Sequence, residues 1–148
     1  MFLSLCYGLI MSSLYEFTTA HCPFDDVPDR LYAHFDGDHG TIPLRVTVAD
    51  LRVERDVDIH FSARPEYPGY RMLNIDWKPK DGGPYPAFAG SLSIADEGLG
   101  WSRIELAGKY DPPFGIVGAA FDAVAGHRIA QATASELLAE FKRILTLP

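Results

Sequence analysis

Apolar and polar residues alternate with a period of two through most of this chain and switch to a helical period in only two places. Residues 14–20 (LYEFTTA) are rich in strand formers and alternate in part, which predicts a first strand. Pro23 then precedes FDDVPDRLYAHF, in which Phe24, Val27, Leu31 and Phe35 recur at helical spacing. Pro28 falls inside that pattern. It either kinks the helix or marks its first turn, where a missing N–H loses no bond. DGDHG, residues 36–40, reads as a turn.

Ile42, Leu44, Val46 and Val48 alternate next, followed by Leu51, Val53, Val57, Ile59 and Phe61 on the opposite parity. The phase change at Ala49 and Asp50 predicts a bulge or a tight turn. A loop through Pro65, Pro68 and Gly69 leads to YRMLNIDWK, where Leu73, Ile75 and Trp77 share a face. KPKDGGPYP is a turn, Phe88, Leu92 and Ile94 alternate again, and Glu97-Gly98 turns the chain. In the last strand, residues 101–110, Ile104, Leu106 and Tyr110 oppose Arg103, Glu105 and Lys109.

Past Pro112-Pro113 the pattern predicts a helix running almost to the end of the chain. Its first half is small (Gly115, Gly118, Ala119, Ala120, Ala123, Ala125, Gly126) and its second half bulky (Leu137, Leu138, Phe141, Ile144, Leu145). Glycine costs a helix about 1 kcal/mol relative to alanine. Its repetition implies that a sheet packs close there or that a cavity is left open. Short Gly/Pro links make the strands antiparallel, and an apolar sheet face needs a cover. The expected fold is therefore α+β: a curved antiparallel sheet wrapped around a long C-terminal helix, with a short helical segment after the first strand. A wedge between sheet and helix is where a ligand would sit.

Two stretches carry a resemblance to a known superfamily. One is the strand with Trp77 followed by GPYPAFAGSLSI, residues 83–94; the other is LAGKYDPPFGIVGAAFDAVAGHRIA, residues 106–130. They resemble the START-like, or SRPBCC, proteins with the helix-grip fold, the second stretch being similar to the strand-to-helix tail of a small, mostly uncharacterised bacterial branch. The resemblance spans the domain in element order and reaches motif level only in those stretches. It departs on the N-terminal side, where the Pro28 segment and DGDHG are short for the one or two small helices of the family. Relatives bind lipids, sterols, polyketides or plant hormones, and some are cyclases. The resemblance thus implies a pocket more than one activity.

Composition narrows the classes. A chain of 148 residues is most simply one domain, and 47% hydrophobic with 12% aromatic content excludes a disordered one. Residues 1–12 are expected to form an N-terminal extension and residues 13–148 a single START-like domain. A net charge of −7 with scattered basic residues argues against nucleic acid. Cys6 and Cys22 form neither a disulfide framework nor a zinc pattern. Cys22, just before Pro23, reads as a small buried thiol, and a reducing cytoplasmic location is expected. The opening MFLSLCYGLI lacks a basic leader and is too short to span a bilayer, while Met11 opens MSSLYEFTT as a second plausible start.

The candidate ligand-binding residues are Trp77, Phe88, Tyr110, Phe114 and His127. A helix face through Ala123, His127, Ala130, Ala134, Leu137 and Phe141 turns His127 toward the sheet. There it is either an acid/base and ligand hydrogen-bonder or a structural histidine bonded to a carbonyl. Asp122 and Arg128 read as an ion pair or strand contacts. Trp77, Tyr85, Phe88, Trp101, Tyr110 and Phe114 are core residues taken singly and a pocket wall taken together. Arg55 would point inward by strict alternation, yet Glu54-Arg55-Asp56 also reads as a hairpin tip. His34, Asp36, Asp38 and His39 offer metal-type ligands at a spacing that fits neither the HExxH nor the calcium-loop pattern, so no metal and no cofactor are expected. Ser-His-Asp elbow, phosphate-loop and dinucleotide patterns do not occur.

The expected function is binding of a hydrophobic or aromatic small molecule, with no nucleic-acid partner and no membrane span. One alternative is a cyclase- or dehydratase-type enzyme using His127 as acid/base, with an inward carboxylate such as Asp76; the neighbours Ile75 and Trp77 put Asp76 on the other face. Another is a protein-interaction module whose edge strands or N-terminal segment pair with a partner or a second copy, as in a homodimer.

Overall fold

The computed structural model describes residues 12–35, 37–48, 51–65, 67–81, 87–111 and 123–146. Strand β1 (Ser12–His21) is followed by a single 3-10 turn (Phe24–Asp26) and helix α1 (Val27–Phe35). Strands β2 (His39–Val48), β3 (Leu51–Ala63), β4 (Tyr70–Pro79), β5 (Ala87–Gly98) and β6 (Trp101–Asp111) come next, and helix α2 (Ala123–Thr146) closes the order. This is the α+β arrangement that the alternation predicts. Pro28 is the second residue of α1, so it marks the first turn and does not kink the helix.

The six strands form one antiparallel sheet in the order β1-β6-β5-β4-β3-β2. β2 to β6 are a meander of neighbours, and β1 returns to pair with β6. Val48 stands opposite Leu51, and Ala49 and Asp50, where the phase change falls, lie outside the described residues. The β5–β6 turn falls later than Glu97-Gly98: Gly98 still pairs with Trp101 across a bulge after Asp96. The left-handed residues of this turn are Gly98, Leu99 and Gly100, at φ of 85°, 57° and 80°. Two of these three are the residue type that tolerates such angles without strain, and Asp96 Oδ1 accepts the Gly98 N–H at 2.8 Å.

Helix α2 packs against β1 and β2, the two outermost strands, more closely than against the middle of the sheet. Six flat strands would hold those edges about 24 Å apart at the usual spacing. A helix reaching both would then cross the central strands just as closely. The sheet is therefore curled, with α2 near its two rims and large side chains filling the depth over β3, β4 and β5. Val57, Ile59, Phe61, Leu73, Ile75, Trp77, Phe88, Leu92 and Ile94 fill that space and are buried. From the helix, Ala130, Ala134, Leu137, Leu138, Phe141, Ile144 and Leu145 face them, at the spacing of one helical stripe.

One end of this core is closed by α1 and the C-terminal half of α2. Phe35, Phe61 and Phe141 bring three rings together from α1, β3 and α2, with centroids 5.6 to 6.3 Å apart. Arg30 Nη1 donates to the Leu145 carbonyl at 2.7 Å, satisfying one of the carbonyls left open in the last turn of α2. Below them Ser102 Oγ, fully buried, donates to the Cys22 carbonyl at 2.6 Å. Arg71 pairs with Asp25 at 3.0 Å and lies over the Phe24 ring.

Arg55 is neither a hairpin tip nor a buried cation. It lies within β3 opposite Leu44, exposed, with Nη1 donating to the Glu54 carbonyl at 2.8 Å. The ladder continues past it toward residues 49–50, where an arginine of inward parity meets water. The small residues Gly115, Gly118, Ala119 and Ala120 of the expected helix start lie outside the described residues. No helix among the described residues is long and apolar enough to cross a membrane.

Candidate functional site

Away from the 3-10 turn and the start of α1, the inner face of the sheet carries a cross-strand row whose β2 member, Gly40, lies against Phe35 at the end of α1. Register pairs Ile59 with Trp77, Trp77 with Phe88, and Phe88 with Tyr110, so four adjacent strands each contribute one residue. All four are buried. Strict period-two alternation puts them on the same face as Ile75, Leu92 and Leu106. Phe88 stacks on Trp77 with centroids 4.2 Å apart and planes 15° from parallel.

The Phe88 ring can lie flat because the next row is cut away. Gly90 faces Gly108 across β5 and β6. A Cβ on either would collide with the facing backbone and sit 2.8 or 2.7 Å from Phe88 Cζ. The two glycines therefore bring the strands' backbones and the ring to a distance that no other residue allows.

Tyr110 and His127 link this row to α2. The Tyr110 hydroxyl lies 3.1 Å from His127 Nδ1, with rings tilted at 39°. His127 is one turn ahead of Ala130 and two ahead of Ala134, both buried and both small. Either Tyr110 donates to an unprotonated Nδ1 or Nδ1–H donates to the phenol oxygen. In both cases Nε2 makes no hydrogen bond to a described residue. Trp77 Nε1 is also buried and has no acceptor among the described residues.

Of the expected ligand-binding set, Trp77, Phe88, Tyr110 and His127 thus come together, while Phe114 and the pocket-wall candidate Tyr85 lie outside the described residues. Trp101 does not belong to this wall. It is 41% exposed and packs at a tilt against His21, 5.0 Å away, on the outer face. Its odd parity in β6 goes with Arg103 and Glu105, not with Ile104 and Tyr110. Asp76 is likewise on the outer face, with Oδ2 3.6 Å from His60 Nδ1, as its neighbours imply. Arg128 is exposed and Asp122 lies outside the described residues. Cys22 is buried, and burial pushes its thiol up, away from nucleophilic use.

Of the metal-type candidates in HFDGDHG, Asp36 lies outside the described residues and the described ones separate. His34 packs edge-on against Phe35, 5.0 Å away, while Asp38 turns to His39 at 3.0 Å and toward His60 at 3.8 Å. The bond from His39, aided by His60, holds the Asp38 carboxyl below its usual range. No group of three or more described His, Cys, Asp or Glu side chains has a metal-binding arrangement. His39 and Gly40 instead line an open groove of about 460 Å³ on the outer face of β2, β3 and β4, together with Thr41, Asp58, His60, Asp76 and Lys78. Sequence reasoning passes over His60, Asp58 and Lys78; their even parity on β3 and β4 is the available signal. It also passes over Tyr15 and Phe17, about half exposed on β1, with Arg103 3.8 Å above the Phe17 ring.

No family model and no curated protein matches the sequence. Among solved structures, the fold is similar to the crystal structure of TTHA0849 from Thermus thermophilus, with a TM-score of 0.54 and 11% identity over 90% of this chain and 97% of that one. At that identity the likeness concerns the fold.

Proposed function

We propose that this chain is a START-like helix-grip domain that binds a hydrophobic or aromatic small molecule between the sheet and the C-terminal helix. The site is the end marked by Trp77, Phe88, Tyr110 and His127. One observation carries the reading: three adjacent strands offer aromatic side chains in a single inner row, and the helix residue beside them is a histidine 3.1 Å from the last of them. Apolar burial would supply affinity at about 25 cal/mol per Å², and Tyr110 and His127 would fix orientation. Native mass spectrometry of freshly purified protein is the test. The expected result is a chain carrying a small organic molecule that solvent extraction removes. A chain with no adduct, which also takes up no apolar fluorescent probe, overturns the reading.

The Tyr110–His127 contact favours a second reading. A phenol bonded to an imidazole is a proton-transfer pair, and a cyclase or dehydratase needs one beside an apolar pocket. In that case His127 moves the proton and Tyr110 holds the ring. His127→Gln is then expected to retain the bound molecule but stop its loss of water on incubation. Equal conversion by wild type and variant removes His127 from catalysis.

A further inference from the structure

Trp77 is 2% exposed, and its indole N–H meets no acceptor among the described residues. Buried polar groups are nearly always paired, and a buried tryptophan normally finds a partner for its one donor. The reason it does not lies in the row around it. Ile59 and Phe88, its register neighbours, offer no side-chain acceptor. The nearest polar pair in the row, Tyr110 and His127, is taken up with itself at 3.1 Å.

We infer that Trp77 Nε1–H is a recognition group, and that the ligand of this site is an apolar molecule carrying a neutral carbonyl-type acceptor. The inference rests on the ligand-binding reading above. Indole nitrogen donates and cannot accept, so the missing partner is an acceptor and not a donor. The row itself, Gly40, Ile59, Trp77, Phe88, Tyr110 and Ser12, contains no lysine or arginine. A carboxylate brought there would find no lysine or arginine in the row, and the one histidine beside it, His127, is engaged with Tyr110, so burying that charge is disfavoured. A ketone, aldehyde or ester oxygen satisfies the N–H without that cost. The stacked Trp77–Phe88 rings and the small Ala130 and Ala134 suit a flat apolar body behind the oxygen.

The test compares two probes of one shape, 2-acetylnaphthalene and 2-isopropenylnaphthalene, in which a methylene replaces the carbonyl oxygen. On the full chain the ketone is expected to bind about tenfold more tightly, the effect of one hydrogen bond to a donor that is otherwise unpaired. In Trp77→Phe, which keeps a ring and loses the N–H, the two affinities are expected to converge. A second measurement does not depend on that variant folding. The chain has two tryptophans, so Trp101→Phe leaves the Trp77 indole N–H as the single indole proton resonance. It is expected to move downfield with the ketone and not with the alkene. Equal affinities, a preference that survives Trp77→Phe, or an unmoved resonance with the ketone bound overturns the inference while leaving the pocket intact. Binding of neither probe overturns the pocket reading and this inference with it.

Discussion

The two ends of the inner sheet face are built from the same alternation but resolve their polar groups in different ways. At the α1 end, Ser102 reaches the Cys22 carbonyl, Arg30 reaches the Leu145 carbonyl, and Arg71 reaches Asp25. Three phenylalanines from three elements seal what remains. At the other end the row from Ile59 to Tyr110 ends on a histidine, Gly90 and Gly108 leave out two side chains of the next row, and an indole N–H finds no acceptor among the described residues. On the proposed reading the first end serves stability, and the second, where Trp77 Nε1 lacks an acceptor among the described residues, serves recognition. Substitutions at the first end should be read in unfolding, and those at the second in binding.

The largest effect is expected from Phe141→Ala. It empties the meeting point of Phe35 and Phe61 and leaves a cavity that α1 cannot close without losing the Arg30 bond. A loss of about 3–5 kcal/mol is expected, measured by urea denaturation, with the midpoint shifted and the slope unchanged. A loss under about 1 kcal/mol, far below the usual cost of such a truncation, would mean that this end is loosely packed.

Gly108→Ala comes next. Although the glycine belongs to the proposed ligand end, the obstacle is backbone: the facing Ala89 carbonyl and Gly90 Cα, with Phe88 Cζ 2.7 Å from the new methyl. A destabilisation of about 1–3 kcal/mol is expected, with Phe88 forced off Trp77. The near-ultraviolet circular dichroism of the stacked rings should fall with it. Retained stacking with unchanged stability would mean that the sheet spreads easily here.

Ser102→Ala tests the polar side of the closed end. It strands the Cys22 carbonyl in a fully buried position and is expected to cost about 1–2 kcal/mol, with ligand uptake unchanged. Reduced uptake at equal stability would mean that the two ends are coupled.

How far each end can be read in the sequence follows the same division. Alternation marks Leu73, Ile75, Trp77, Ile104, Leu106 and Tyr110 as inward, because burial on one sheet face is a local property of parity. The helix stripe through His127, Ala130, Ala134, Leu137 and Phe141 is legible for the same reason at period 3.6. Register is not. Nothing in the local pattern says that Trp77 meets Phe88, or that Gly90 meets Gly108, since those pairings depend on where each hairpin turns. The β5–β6 turn illustrates this: Glu97-Gly98 looks sufficient, but a bulge at Asp96 moves the reversal to Leu99 and Gly100. Arg55 reads as a hairpin tip because a charged triplet resembles a turn, whereas the ladder of β2 and β3 runs straight through it. The outer groove around His60 escapes notice because even parity marks its residues as outward-facing but not which of them the register sets side by side.

The smallest effect on stability, and the sharpest test of the comparison, is expected from Trp77→Phe. Removing the second ring of a buried tryptophan forfeits contacts and opens a small void, a loss of roughly 1–2 kcal/mol for a change of this kind. The same substitution removes a buried donor that has no acceptor, a group whose burial itself costs about 1–3 kcal/mol. The two terms oppose and are of similar size, so the net change is expected to lie within about 1 kcal/mol of zero. Trp101→Phe serves as the control, since that ring is partly exposed and its loss on the outer face is also expected to be small. A tryptophan as buried as Trp77 with its N–H properly bonded would behave otherwise, because both the packing and the hydrogen bond would be lost together. A measured loss of about 3 kcal/mol or more, well beyond the roughly 1–2 kcal/mol expected from packing alone, would therefore mean that the indole is already paired within the fold. The Trp77 row would then hold no spare donor, and the inference that assigns recognition to Trp77 would be gone.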